Sequence, residues 1–126
     1  MNPQDWPSHP HCPPAGTLLA RLDDIADGGG HVLAIGPENE AFRILLLRSG
    51  DSVRAWLNRC PHFGVPLALK NEWLIVKPGQ SVSCNVHYAH FRWQDGLCED
   101  GDCEGEHLIA LPVTVTDREI RFGAAP

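Results

Sequence analysis

Four residues stand at spacings that suit a metal centre: Cys60-Pro61-His62 and, 21 residues further on, Cys84-Asn85-Val86-His87. Thiolates and neutral imidazoles are ready ligands for soft and borderline transition metals. Two Cys and two His could complete a tetrahedral zinc site. However, Cys-x-His is a short spacing for two ligands on one ion, and the zinc-finger pattern pairs like with like. A dinuclear cluster suits the spacing better. If the Cys and the His of each segment bind different irons, each short spacing bridges two metal atoms and neither strains around one. Both Cys then lie on one iron and both His on the other. A disulfide framework is a poor reading of the five Cys. Residues 1–16 hold no basic region followed by an apolar run, which leads us to expect a cytoplasmic, reducing setting, and an odd count leaves one thiol unpaired.

Ligand loops need rigid elements behind them, and the chain supplies short strands with turn signals between. Apolar runs at residues 17–25 and 31–35 are separated by Gly28-Gly29-Gly30. Residues 41–47 and 52–57 flank the turn Ser49-Gly50-Asp51 and read as a hairpin. Residues 72–76 and 81–86 bracket Lys77-Pro78-Gly79-Gln80, and residues 88–93 precede Gln94-Asp95-Gly96. Residues 108–116 and 119–122 are expected to pair across Asp117-Arg118, with Val113, Val115, Ile120 and Phe122 in alternation. Neither a sustained 3.6-residue period nor an internal repeat is present. Each Cys/His pair follows one of the expected strands.

The segments Cys60-Pro61-His62-Phe63-Gly64-Val65-Pro66-Leu67 and Cys84-Asn85-Val86-His87-Tyr88-Ala89-His90-Phe91 resemble the two cluster-binding loops of Rieske [2Fe-2S] proteins. The resemblance runs over residues 17–122 and includes Phe91, the Asp95-Gly96 turn, Gly101 and a closing hairpin at Leu111-Pro112-Val113. It implies one [2Fe-2S] cluster per chain, with Cys60 and Cys84 on one iron and His62 and His87 on the other. It also implies an all-β fold of stacked antiparallel sheets with a cluster-binding subdomain of two ligand loops, occupying residues 17–126 behind an irregular Pro-rich segment, 1–16. The ring edges of His62 and His87 would be the electron exit, rimmed by Phe63, Gly64, Val65 and Pro66.

Three departures from the family pattern matter. The interval between His62 and Cys84 exceeds the usual one, so residues 71–80 are expected to protrude as an enlarged hairpin. Asp102 follows Gly101 where many members have Gly-Pro. Val65 and Val86 stand where the high-potential respiratory branch has a Cys pair, which excludes that branch. Ala89 and Phe91 stand where the same branch has hydroxyl donors near the cluster. Without such donors the reduced form is less favoured, and the expected potential lies toward the bottom of the Rieske span of about −150 to +300 mV.

The balance of the chain agrees with a protein-facing carrier. Sixteen acids against ten bases give a formal charge of −6, which disfavours nucleic acid and anionic membrane as partners. A length of 126 residues suits one domain, and 12 Gly with 11 Pro argue for many turns. Cys98 and Cys103 read as small loop residues near the cluster, His90 as a surface or packed histidine, and Trp56, Trp73 and Trp93 as packing residues. Cys12, His9 and His11 fall in a segment expected to be disordered, and the six acids within residues 95–106 read as a solvated face. The resemblance implies a monomeric, non-enzymatic electron carrier that takes one electron from a flavin- or nicotinamide-linked reductase and gives it to a terminal oxygenase. The electron-entry subunit of a larger oxidoreductase, nitrite-reductase-like or oxygenase, is the alternative; a zinc-stapled interaction module is the third reading.

Overall fold

Residues 44–47 read Ile-Leu-Leu-Leu with no polar residue between them, the pattern of a strand covered on both faces. The computed structural model describes residues 3–59, 66–71, 74–77, 80–83, 90–100 and 104–123. In it, all four residues lie in β3 (Phe42–Ser49) and none is accessible to solvent. Strand alternation then divides them: Ile44 and Leu46 join one core with Phe42, whereas Leu45 and Leu47 join a second. Full burial of each such side chain contributes about 1.5–3 kcal/mol.

Three antiparallel sheets account for both cores, and the architecture is all-β as expected. The central sheet runs β2 (Gly30–Ile35), β3, β4 (Ser52–Leu57) and β9 (Ala110–Leu111). One of its faces packs against β1 (Leu18–Arg21), β11 (Glu119–Phe122) and β10 (Val113–Thr116), which supply Ala20, Ile120 and Phe122. The other packs against β5 (Ile75–Lys77), β6 (Ser81–Ser83), β7 (His90–Arg92) and β8 (Cys98–Asp100), which supply Val82, Phe91 and Cys98. Register keeps the two cores separate, since Leu45 pairs with Trp56 on one face and Leu46 with Ala55 on the other. Among the described residues no helix is long and apolar enough to cross a membrane.

The β3–β4 hairpin forms as expected. Ser49 pairs with Ser52, leaving Gly50 and Asp51 as a two-residue turn with Gly50 at φ +60°, the glycine-first arrangement that matches strand twist. Other expectations need correction. The run at 17–25 does not continue as a strand: Leu22–Asp24 turns as a 3-10 helix, Asp24 accepting from the Arg21 N–H (2.9 Å). Arg48 Nη1 donates to the carbonyls of Leu22 (3.0 Å) and Ile25 (2.8 Å) and holds that turn in place. Residues 108–116 do not form one strand either. β9 pairs with β4 and β10 pairs with β11, so Leu111-Pro112-Val113 is a crossover between sheets and not a hairpin. Pro112 has no N–H to continue a ladder.

From Trp6 onward the amino-terminal segment is packed and not disordered. Pro3–Ser8 forms a 3-10 helix whose Trp6 ring meets Phe122 edge-on at 5.8 Å and Phe42 at 6.5 Å. The His9 ring packs on Phe42 at 5.3 Å, and Pro13 is buried. Of the 71–80 segment, residues 72, 73, 78 and 79 lie outside the described residues, and Leu74 and Val76 pack against the core that contains Leu47. Asn71 Oδ1 accepts from the Val32 N–H (2.8 Å) on β2, and β5 is the edge strand of its sheet.

Gly96 turns the chain between β7 and β8 at φ +73°, and a Cβ there would stand 2.9 Å from the Trp56 ring. Gly50, also left-handed, has nothing within 4 Å of that position. Gly50→Ala is therefore expected to cost about 1 kcal/mol, the backbone penalty alone, and Gly96→Ala about 2 kcal/mol or more. Urea midpoints compare the two, and equal midpoints would show that the Trp56 ring gives way freely.

Candidate metal centre

Where β4 ends, one buried side chain gathers the chain on both sides of the first Cys/His segment. Asn58 is only 3% exposed. Its Nδ2 donates to the Ala68 carbonyl (2.8 Å), its Oδ1 accepts from the Leu67 N–H (2.8 Å), and its own N–H donates to the Arg43 carbonyl on β3 (3.0 Å). The strand that enters residues 59–66 is thereby tied to the chain that leaves them. Sequence reasoning missed Asn58. The available signal was a polar residue one alternation step beyond Trp56, on the face where an apolar side chain is expected.

The second segment has a different neck. Val82 pairs with Phe91 and Ser83 with His90, so residues 84–89 connect β6 to β7. Val82 and Phe91 are fully buried and share one core with Leu67 and Trp56. The exit of the first segment and both strands that flank the second therefore stand on the same packed floor. Cys60 and His62 lie in residues 60–65, and Cys84 and His87 in residues 84–89, all outside the described residues. Val65, Trp73, Val86, Ala89, Gly101, Asp102 and Cys103 are outside them too.

Two thiols and two imidazoles, shared between two segments with necks on one core, are the donor set that a [2Fe-2S] centre of mixed ligation takes. The Phe91 ring, which carries no hydroxyl, is wholly buried.

The far end of the β7–β8 hairpin is fixed electrostatically. Asp95 Oδ1 accepts from Arg92 Nε (3.0 Å) and the Leu97 N–H (3.1 Å), and its second oxygen accepts from Arg92 Nη2. Those bonds, that of Arg92 foremost, hold the Asp95 carboxyl down to a pKa of about 2. Asp95, itself exposed, is thus committed to bonds within the hairpin; Glu99, Glu104 and Glu106 are exposed as well. Cys98 is not a loop residue: it lies in β8, 1% exposed, in the core with Trp93 and Leu108. Trp56 and Trp93 are core residues as expected, and His90 is half-buried. No three ligating side chains converge among the described residues. In the amino-terminal segment, His9 Nδ1 accepts from the His11 N–H (3.0 Å), and burial raises the pKa of the Cys12 thiol.

Asn58→Ala would leave the Leu67 N–H and the Ala68 carbonyl unsatisfied in a buried setting, an expected loss of about 2–4 kcal/mol. Asn58→Asp keeps the acceptor and loses the donor, and should fall between the two; denaturation midpoints and hydrogen exchange at the Leu67 amide test this order. For Asp95, a folded pKa below the unfolded value of about 3.9 means the contribution is complete above that value and is lost as pH falls through about 2. Asp95→Asn is expected to flatten the stability–pH curve between about pH 4 and 2, and an unchanged acid limb would show that the Arg92 pair has no such role.

Comparison with known proteins bears on the whole domain. The sequence profile described as the Rieske [2Fe-2S] domain matches residues 17–115. No curated protein sequence matches. Among solved structures, the ferredoxin of carbazole 1,9a-dioxygenase from Nocardioides aromaticivorans IC177 is 22% identical with a TM-score of 0.66, covering 89% of this chain and all of that one. A chain in the reduced complex between oxygenase and ferredoxin in carbazole 1,9a-dioxygenase is 20% identical with a TM-score of 0.67, covering 86% of this chain and 29% of that chain. The terminal oxygenase of carbazole 1,9a-dioxygenase from Novosphingobium sp. KA1 is 19% identical with a TM-score of 0.67, covering 89% and 31%. These likenesses establish the fold, and the profile match establishes the lineage: the chain belongs to the Rieske [2Fe-2S] domain family.

Proposed function

We propose that the chain is a one-electron carrier, with Cys60 and Cys84 as ligands to one iron of a [2Fe-2S] cluster and His62 and His87 as ligands to the other. When bound, the cluster supplies a one-electron redox couple. The polypeptide contributes position: the Asn58 neck and the paired ends of β6 and β7 set the flanks of the two segments on one core. That arrangement is the observation that carries the reading. Delivery to a terminal oxygenase draws on the ferredoxin of a dioxygenase that this chain covers in full, and a flavin- or nicotinamide-linked reductase as donor rests on the family resemblance of the sequence alone. Catalysis of its own is not assigned to the chain.

A second reading, the electron-entry subunit of a larger oxidoreductase, draws on the oxygenase chains of which this fold is less than a third. Gel filtration of native extract separates the two: a free small protein favours the carrier, a stoichiometric complex the subunit.

The purified protein is expected to be coloured, to contain iron and acid-labile sulfide, and to show a Rieske-type EPR spectrum after dithionite reduction. Its midpoint potential should fall toward the low end of the span of about −150 to +300 mV. Cys84→Ser and His87→Ala should each abolish or alter chromophore and EPR signal. A colourless protein with zinc would overturn the assignment, and unchanged spectra in both variants would overturn the ligand set.

A further inference from the structure

β2 is an edge strand of the central sheet, and near its start one amide side chain covers that edge. Asn71 Oδ1 accepts from the Val32 N–H (2.8 Å), and Asn71 Nδ2 lies 3.1 Å from Nδ1 of His31. The backbone N–H can only donate, which fixes the amide with Oδ1 toward Val32 and Nδ2 toward the imidazole. Nδ2 can only donate in its turn. Nδ1 of His31 must therefore accept, and the ring is the neutral tautomer with its proton on Nε2. Two donors and two acceptors match in one arrangement only.

Protonation removes that match. An imidazolium donates from both nitrogens, so turning the ring offers Asn71 no acceptor. Turning the amide instead satisfies the ring but sets Nδ2 against the Val32 N–H. One of the two bonds is lost whichever group moves. Neighbouring charges are engaged elsewhere: Arg48, two residues along β3 from Leu46, the partner of His31, donates to the carbonyls of Leu22, Ile25 and Gly50, and Asp27 accepts from the Gly50 N–H. Lys70 precedes Asn71, and Glu72, which follows it, lies outside the described residues. Asn71 opens the chain that leads through β5 and β6 to Cys84. Its carbonyl accepts from the Leu74 N–H (3.2 Å), and Leu74 packs so closely on β2 that a Cβ at Gly30 would stand 3.1 Å from it.

We propose that His31 and Asn71 form a proton-operated latch: neutral His31 holds the start of this segment to β2, and protonation of His31 releases it. Imidazole changes charge between about pH 5 and 8, so the latch acts within that range. It does not depend on the electron-carrier reading.

Hydrogen exchange of the Val32 amide in the ¹⁵N-labelled holoprotein, corrected for its intrinsic pH dependence, measures the latch. Both contacts are open to solvent. From about pH 8 to 5 the open fraction is therefore expected to grow about three- to tenfold, the worth of one ordinary hydrogen bond, while the amide of buried Leu45 stays protected. Asn71→Asp keeps the acceptor for Val32 and sets a carboxylate oxygen opposite Nδ1, so the sign should invert and acidification should slow exchange. His31→Asn supplies an acceptor that does not titrate and should flatten the profile. Glu72→Gln should follow wild type. In the unaltered protein at about pH 8, long-range ¹H–¹⁵N imidazole spectra should show the His31 proton on Nε2, whatever the variants do to folding. A flat wild-type profile, a response in Asn71→Asp of the wild-type sign, a response that persists in His31→Asn or vanishes in Glu72→Gln, or a proton on Nδ1 would overturn the proposal.

Discussion

Double burial of β3 is the constraint on which the other elements depend. With Ile44, Leu45, Leu46 and Leu47 all withdrawn from water, β3 needs a cover on each side, so the chain must supply two further sheets. The aromatic trio of Trp6, Phe42 and Phe122 extends one cover, and Trp56, Phe91 and Trp93 fill the other. Close-packed protein interiors transmit displacement and tolerate few volume changes. An element anchored in either core is therefore held with little freedom.

That rigidity reaches the flanks of the two Cys/His segments through different devices. For the first, an amide side chain spans the neck, and its alignment depends on β4 lying against β3. For the second, the neck is a strand pair seated on Val82 and Phe91. Both are supported by the core that contains Leu67. A redox centre gains from such support, because electron transfer is faster when little reorganisation accompanies the change of charge, and here the protein supplies orientation and surroundings.

How much of this could be read from the chain depends on whether the signal was local. The hairpin at Gly50 was legible, since a glycine able to adopt positive φ between two apolar runs specifies the turn by itself. The all-β class was legible for the same reason, from short apolar runs between turn signals; the Cys/His segments stand out by residue type and spacing, and their four proposed ligands lie outside the described residues. The crossover at Pro112 was not, because Leu111, Val113 and Val115 keep one alternation through it while changing sheets. β8 was hidden by its acids: Cys98 faces the core, whereas Glu99 is exposed and reads like a loop residue. The amino-terminal segment lacked any periodic signal, and its order comes from contacts with Phe42 and Phe122, distant in sequence.

The placement of the tryptophans has a spectroscopic corollary. Trp56 and Trp93 report on the core beneath the metal segments, whereas Trp6 sits on the opposite core and is only half-buried. Detachment of the amino-terminal segment alone would shift the emission of the Trp6 indole to the red and leave those of Trp56 and Trp93 unmoved; Trp73, the fourth, lies outside the described residues. In a Trp73→Phe background, intrinsic fluorescence can thus follow that segment separately from global unfolding, without an added label.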